Sequence, residues 1–256
     1  MFKELIISLQ SYFDAHKFIS KNNLWKWIIV PGFFYAILFA VGLYFFGKTS
    51  FGATEFILAK TGLKPWLDSM KMGWLSWLFI VAQIFIIIVL FFFYFSLFKY
   101  IFLIVASPVF AYLSEKTESI LIGKDFPFST TQLLSDIVRG IRIALRNMLW
   151  QTVYLLAIII FSFIPLVGWV GPIVSFFLEC YYFGFSMLDY SSERNKLSTS
   201  QSIALIGRHK GLAIGNGIGF YFMHLLPFIG WLFAPSYAVV AATLSLHKAK
   251  QKQVIL

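Results

Sequence analysis

Hydrophobic positions in this chain gather into four long runs that are separated by polar segments. Uncharged stretches cover 27–47, 72–98, 147–178 and 211–247. A helix rises about 1.5 Å per residue, so about 20 such residues cross a hydrocarbon core of roughly 30 Å. Because only helices and closed barrels satisfy their backbone groups in lipid, runs of this length predict an all-α integral membrane protein.

The first two runs predict two long transmembrane helices, at 27–47 and 72–122. The second is longer than a bilayer requires, and we expect it to project beyond the membrane or to bend at Ser107-Pro108. Lysines and acidic residues occupy the segment 48–73 between them. This segment predicts a loop that includes at most a short helix.

The last two runs are broken in the same way. In FIPLVGWVGP and LLPFIGWLFAP a proline is followed three residues later by Gly-Trp. Proline removes a helix hydrogen bond, and glycine permits φ values that let a chain reverse. We therefore expect two broken helical hairpins, at 149–187 and 212–247, with tips at Pro165 to Gly168 and Pro227 to Gly230.

Two interpretations of these hairpins stay open. The hairpins could be re-entrant, with their tips near the membrane midplane, or they could span the bilayer and turn at its far surface. The arm 211–226 favours re-entrance, because its 16 residues give only about 24 Å of helix. A tip in lipid needs protein or water around its open backbone groups. Paired breaks at corresponding positions also indicate a transport pathway.

Residues 1–26 predict an amphipathic helix. Its apolar residues recur at helical spacing, with lysines on the opposite stripe. The helix could lie on the membrane surface or pack on the protein's own cytoplasmic face. A further cytoplasmic helix is predicted at 198–210, where Ser198 and Gln201 have the spacing of a capping box.

A second amphipathic helix is predicted at 129–148. Arg139, Arg142 and Arg146 share one face, opposite an apolar face. Two roles for these arginines stay open. They could meet lipid phosphate or water at the interface, or they could handle a substrate directly.

Composition and charge support a membrane location. Hydrophobic residues make up 59% of the 256 and charged residues 12%, and the formal net charge is +10. Sixteen lysines and arginines fall in the N-terminal segment, 108–148, 188–210 and the tail, against four in 48–73. Cytoplasmic segments retain such residues, so both termini are predicted to be cytoplasmic and no nucleic-acid partner is expected.

An enzyme is the weakest interpretation. The histidines, at 16, 209, 224 and 247, are far apart in sequence, and none has metal-ligand spacing with a carboxylate. The chain contains no nucleophile elbow, phosphate loop or dinucleotide fingerprint. We expect no catalytic residues, no metal and no cofactor.

Several segments together resemble one family. They are SPVFAYLSEKTE (107–118), the two Pro-x-x-Gly hairpins, LDY (188–190) and APSYAVVAATL (234–244). In these the chain resembles the CysZ sulfate permease family, whose domain is shared with the etoposide-induced membrane proteins. The resemblance implies two long membrane helices and two hemi-penetrating hairpins. It also implies homo-oligomers in the bacterial cytoplasmic (inner) membrane that conduct sulfate for cysteine synthesis.

The resemblance places substrate binding at the start of the first membrane helix, where the family has Gly-Leu-Arg and a second basic residue. The matching positions here are Asn23, Leu24, Trp25 and Lys26. A helix N-terminus favours a dianion, and an arginine adds a bidentate fork. Tryptophan offers one neutral donor and lysine a point charge. The site is therefore weakened, altered to another anion, or lost.

Candidates for the transport pathway are the four hairpin-tip residues together with Ser107, Pro108, Glu115 and Glu118. The two glutamates share a helical face. They could instead pair with Lys116 or with the arginine-rich helix.

Glu179 is a possible buried charge, because it interrupts an apolar stretch. It could equally mark the cytoplasmic end of its arm. The leading functional hypothesis is a permease or channel for a small anion, sulfate or sulfite, working in the lipid bilayer as a homo-oligomer. The alternative is a non-conducting membrane scaffold or assembly factor that keeps the fold without the sulfate site.

Overall fold

The structure is a computed structural model that describes residues 1–60, 62, 73–124, 130–162, 167–194 and 197–251. These residues form helices and connecting turns and include no strand, so the predicted all-α class is confirmed. The eight helices of the described residues are α1 (Phe2–Lys21), α2 (Trp25–Lys60), α3 (Gly73–Ile122), α4 (Thr130–Ser162), α5 (Val167–Arg194), α6 (Thr199–Arg208), α7 (Lys210–His224) and α8 (Ile229–Gln251).

Four helical segments are long and apolar enough to cross a bilayer, among the residues that the structure describes. They are Trp25–Ser50, Phe98–Ile122, Val170–Ser192 and Ile229–Gln251. Each has 23 to 26 residues, which corresponds to roughly 35–39 Å of helix. The molecule is therefore built mainly from helices of membrane-spanning length.

Helix α2 is longer than the sequence indicated. It continues to Lys60, so the expectation of a loop is wrong for 48–60. The polar residues there are compatible with the helix, and the Thr49 hydroxyl donates to the Phe45 carbonyl one turn earlier, at 2.8 Å. No proline occurs between 48 and 60 to end it. The rest of the expected loop, apart from Gly62, lies outside the described residues.

The amphipathic segment 129–148 and the first hairpin arm form one helix. Helix α4 runs from Thr130 to Ser162 without interruption, so the division at 148/149 does not correspond to a helix end. The change from an amphipathic to an apolar pattern marks a change of surroundings along one helix. Helix α3 likewise continues through Pro108.

The chain divides into two compact units, Met1–Ala36 with Tyr100–Leu256, and Ile37–Lys99. Within the second unit, aromatic side chains join the end of α2 to the first half of α3. The Tyr94 hydroxyl donates to the Gly42 carbonyl at 3.0 Å, and the rings of Phe39 and Phe98 lie 6.0 Å apart.

Helix α7 lies at the centre of the first unit, between α1 and α5. Its glycines allow this, because a Cβ at Gly217 would lie 2.0 Å from the Cys180 carbonyl oxygen of α5. On the other side, a Cβ at Gly215 would lie 2.8 Å from the Ser8 side chain of α1. Glycine at these positions thus lets three helices pack at close range.

Helix α6 begins as its sequence predicts. The Ser198 hydroxyl accepts from the Gln201 N–H, and the Gln201 side chain accepts from the Ser198 N–H. The predicted capping box is confirmed.

Candidate functional site

The predicted anion site lies at the turn between α1 and α2. The Leu24 N–H donates to the Ile19 carbonyl at 3.1 Å, and Asn23 has a φ of 52°. Leu24 and Ile19 are both buried. These are the features of a Schellman helix end, whose left-handed position suits glycine and asparagine. Asn23 therefore keeps the backbone turn that glycine provides at this position in the resembling motif.

Trp25 begins α2 inside an aromatic cluster. Its ring lies edge-on to the rings of His16 and Phe233, at 6.0 and 6.1 Å. His16 Nδ1 is 2.8 Å from the hydroxyl of Tyr237. Trp25 thus fills a space between α1 and α8, and it brings a single neutral N–H to a position where the family motif has an arginine.

Lys26 is the cation of this site. Its side chain is exposed in the first turn of α2. The backbone N–H groups of Trp25 and Lys26 lie in this first turn. Such groups have no carbonyl acceptor within their own helix. The turn therefore offers an anion free N–H groups, the positive end of the helix dipole and one ammonium group.

Helix α1 is held beside this site by buried polar contacts. Glu4 is 6% exposed, and its carboxylate lies 2.7 Å from His209 Nδ1 and accepts from the Gly211 N–H at 3.1 Å. A carboxylate at the N-terminus of α7 is favoured by the helix dipole and the free N–H groups. Glu4 thus fixes the start of α1 to the start of α7.

Two hydroxyls continue this contact along α7. Ser8 Oγ donates to the Leu212 carbonyl at 2.9 Å, and the Tyr12 hydroxyl lies 2.7 Å from the Asn216 carbonyl oxygen. Burial raises the pKa of Tyr12 well above its usual value, so its hydroxyl remains a donor. The packed face of α1 is therefore partly polar.

The apolar stripe of α1 points the other way. Phe2 and Phe13 are about three quarters exposed, at 75% and 76%. One face of α1, with Ser8 and Tyr12, packs on the protein itself, as one of the two interpretations expected. The opposite face, with Phe2 and Phe13, is exposed and is available for contact with lipid, as the other interpretation expected.

The structure places the predicted pathway residues of α3 inside the helix packing. Ser107 is fully buried, and its hydroxyl donates to the Ile104 carbonyl at 2.9 Å. It faces Gly140 of α4, where a Cβ would lie 3.4 Å from the Ser107 side chain. Pro108 follows without ending the helix.

Glu118 lines a cavity of about 10 Å³, together with Ser191, Thr243 and Lys250. Lys250 of α8 is close enough to interact with the Glu118 charge. A cavity of about this size holds one water molecule. It is too small for a sulfate ion. Glu115 is half-buried one turn earlier.

The first hairpin tip is only partly described. Pro165 lies outside the described residues, and Gly168 is the second residue of α5.

The second tip is a short turn between α7 and α8, and it corrects the expected role of its glycine. Phe228 holds the left-handed conformation, with a φ of 61°, and Gly230 does not have a positive φ. A Cβ at Gly230 would lie 1.9 Å from the Met223 carbonyl oxygen. Glycine is needed there because the two helices touch.

The turn also satisfies much of its own backbone. The N–H groups of Leu225 and Leu226 donate to Tyr221 and Met223, and that of Gly230 donates to Leu226 at 2.8 Å. These bonds satisfy several backbone groups of the turn internally, and the expectation that other protein covers the tip stays a prediction.

Glu179 lies in the middle of α5, within the apolar segment Val170–Ser192. It accepts from the Gln151 amide of α4 and, at 2.8 Å, from the Tyr221 hydroxyl of α7. The Tyr100 hydroxyl of α3 in turn donates to Gln151. The carboxylate is thus the acceptor for donors from two neighbouring helices, well inside the helix rather than at its end.

An ion pair that sequence reasoning missed joins α4 to α5. Arg139 donates to both Asp189 oxygens, at 3.2 and 2.9 Å, and also to the Leu197 carbonyl. The Ser202 hydroxyl donates to Asp189 as well. Asp189 belongs to the LDY segment, which carried the resemblance, but no spacing along the chain connects it to Arg139.

These features define the class of protein. It is an all-helical, multi-pass membrane protein with a cationic helix N-terminus at the start of its first span. In the part of the chain that the structure describes, no three His, Cys, Asp or Glu residues lie together as a metal site would require.

The chain belongs to the family described as Sulfate transporter CysZ/Etoposide-induced protein 2.4, whose profile matches residues 11–235. Similar proteins include "Sulfate transporter CysZ" of Pseudomonas aeruginosa, 28% identical over 70% of this chain and 74% of the relative. "Sulfate transporter CysZ" of Pseudomonas syringae pv. tomato is 26% identical over 73% of this chain and 76% of the relative. The resemblance noted in the sequence is confirmed.

Proposed function

We propose that this protein is a permease or channel that passes a small divalent oxyanion, sulfate or sulfite, across the bacterial cytoplasmic membrane for sulfur assimilation. The observation that carries the proposal is the family match over 11–235, together with relatives that are named sulfate transporters. The apolar helices and the cationic start of α2 support it.

The start of α2 is the proposed binding site for the anion. An oxyanion there accepts hydrogen bonds from the N–H groups of Trp25 and Lys26 and is attracted by the Lys26 ammonium. Hydrogen bonds to a charged group each contribute about 1.5–3 kcal/mol. Because Trp25 cannot provide a guanidinium fork, we expect weaker binding here than with an arginine.

We propose that both termini are cytoplasmic and that the second hairpin is re-entrant. The distribution of lysine and arginine supports the first part. The turn supports the second, because Leu225, Leu226 and Phe228 are 73%, 58% and 77% exposed and the turn carries no charge. An exposed, uncharged turn of this kind can contact lipid or another copy of the chain. We therefore include a homo-oligomer in the proposal.

The test is flux of radioactive sulfate into proteoliposomes. We expect uptake above that of empty vesicles, and we expect Lys26→Ala to abolish it because the binding site then loses the ammonium group of its first turn. Lys48→Ala, also on α2 but outside the site, is the matched control. Uptake equal to empty vesicles, with the protein shown by protease protection to be correctly oriented, would disprove the proposal.

A non-conducting scaffold is the second candidate, and Trp25 is the observation that favours it. Its ring is packed between His16 and Phe233, so the position serves the helix contact. A scaffold predicts a stoichiometric protein partner together with no sulfate flux in either wild type or Trp25→Arg. A permease predicts flux in both.

A further inference from the structure

The three arginines of α4 differ in their surroundings. Arg139 is paired with Asp189 and the Leu197 carbonyl. Arg142 is exposed. Arg146 is half-buried against α5, so the arginine pattern in the sequence contains three different environments.

Arg146 is surrounded by neutral groups. Its Nη1 donates to Asn147 Oδ1 at 2.9 Å, and its guanidinium lies 5.4 Å from the centre of the Phe185 ring. Asn147 is itself held by Ser186 of α5, at 3.1 Å. Within the described residues, no carboxylate lies in ion-pair distance of Arg146. Four of the five guanidinium N–H groups have no protein acceptor there.

The two acidic residues of the apolar segment of α5 are engaged elsewhere. Glu179 accepts from Gln151 and Tyr221. Asp189 accepts from Arg139 and Ser202. Neither of them bonds to Arg146 as its counter-ion.

This guanidinium lies beside the apolar segment of α5. Phe185, whose ring it covers, belongs to Val170–Ser192, which is long and apolar enough to cross a bilayer. A half-buried charge against such a surface is costly without a partner. The position therefore favours an anion beside Arg146.

Tyrosine hydroxyls add neutral donors around the same charge. The Tyr181 ring lies 6.0 Å from the Phe185 ring and 5.1 Å from the Tyr182 ring, and the rings of Tyr154 and Tyr182 lie 6.4 Å apart. Among the described residues, none of these three hydroxyls makes a hydrogen bond to protein. The cluster thus presents donors and one positive charge, which matches a ligand whose oxygens only accept.

We propose that Arg146 of α4, together with Tyr181 and Tyr182 of α5, forms a binding site for a sulfate-type oxyanion. The site rests on the proposed function and deepens it. It provides the guanidinium fork that the start of α2 lacks at Trp25, so the two positions contribute different interactions to anion binding. Lys26 attracts the anion at the surface, and Arg146 binds it within the hairpin.

The test is sulfate binding by calorimetry in delipidated, detergent-solubilised protein, with flux measured in parallel. We expect Arg146→Gln to weaken binding about 10- to 100-fold, as loss of charge-assisted hydrogen bonds predicts. Arg146→Lys should recover part of the loss, because it keeps the charge without the fork. In Lys26→Ala, the binding that remains should disappear when Arg146→Gln is added.

Arg142→Gln is the matched control, one turn away on the same helix and exposed. We expect it to bind sulfate like wild type. If Arg146→Gln also binds and conducts like wild type in a protein with an unchanged melting temperature, the Arg146 site is wrong while the permease stands. If wild type neither binds nor conducts sulfate, both are wrong. If Arg146→Gln loses co-purified phospholipid phosphate but not sulfate binding, the site holds a lipid headgroup and the proposal is overturned.

Discussion

Replacing Gly230 by alanine should destabilise the second hairpin. The added Cβ would lie 1.9 Å from the Met223 carbonyl oxygen and 2.9 Å from its carbon, whereas ordinary contacts begin at 3.4 Å. Both atoms are backbone, so α7 and α8 must separate. Overpacking of this kind costs about 1–3 kcal/mol or more. This exceeds the gain of about 0.8–1 kcal/mol from helix propensity when alanine replaces glycine.

Thermal melting in detergent, followed by tryptophan fluorescence, measures the effect. A net loss of about 2 kcal/mol lowers the melting temperature by roughly 4–8 °C for a chain of this size. Gly47→Ala is the matched control, because a Cβ at Gly47 meets nothing within 4 Å. The control should melt at or slightly above the wild-type temperature. If both variants melt alike, the close contact between α7 and α8 is wrong.

Four further outcomes are expected. Asn23→Ala should lower the melting temperature by an amount equivalent to about 1 kcal/mol, while Asn23→Gly should not, because only the first is strained at positive φ; equal effects would contradict the helix-end geometry. Asp189→Asn should cost about 3–5 kcal/mol by removing the charge of the buried carboxylate that pairs with Arg139, and an unchanged melting temperature would show that this pair does not stabilise the fold. Trp25→Arg should tighten sulfate binding about tenfold, as measured by calorimetry, because a guanidinium can donate two parallel hydrogen bonds to the anion; an unchanged affinity would show that this turn does not bind the substrate. Leu226→Cys should resist a membrane-impermeant thiol reagent added from outside, and rapid labelling there would disprove re-entrance; the native thiol is fully buried and should not interfere.

Local signals in the sequence are sufficient for several elements of the fold. The apolar runs predict the helical class, because a segment in lipid must satisfy its own backbone. The Ser198 capping box forms as its spacing indicates, since a cap involves only neighbouring residues. Polar composition is a less reliable signal for the end of a helix. Helix α2 continues to Lys60 through polar residues that are compatible with a helix.

The candidate site was predictable only in part. The motif alignment places Asn23 to Lys26, and the structure explains why asparagine suits the first position. The pattern did not show that Trp25 contacts His16 and Phe233, because these residues come from different helices. It also assigned a left-handed conformation to the glycine of the second tip, although Phe228 adopts it.

The sequence by itself determines that this protein lies in a membrane, that it is helical and which family it belongs to. These properties follow from hydrophobicity, helical periodicity and motifs, each of which can be recognised along one segment. The tertiary structure decides which charges have partners. Arg139 and Arg146 share one helical face in the sequence, yet the first meets Asp189 and the second meets neutral groups. The difference arises because a counter-ion on another helix, 50 residues away, is positioned by packing and leaves no local pattern.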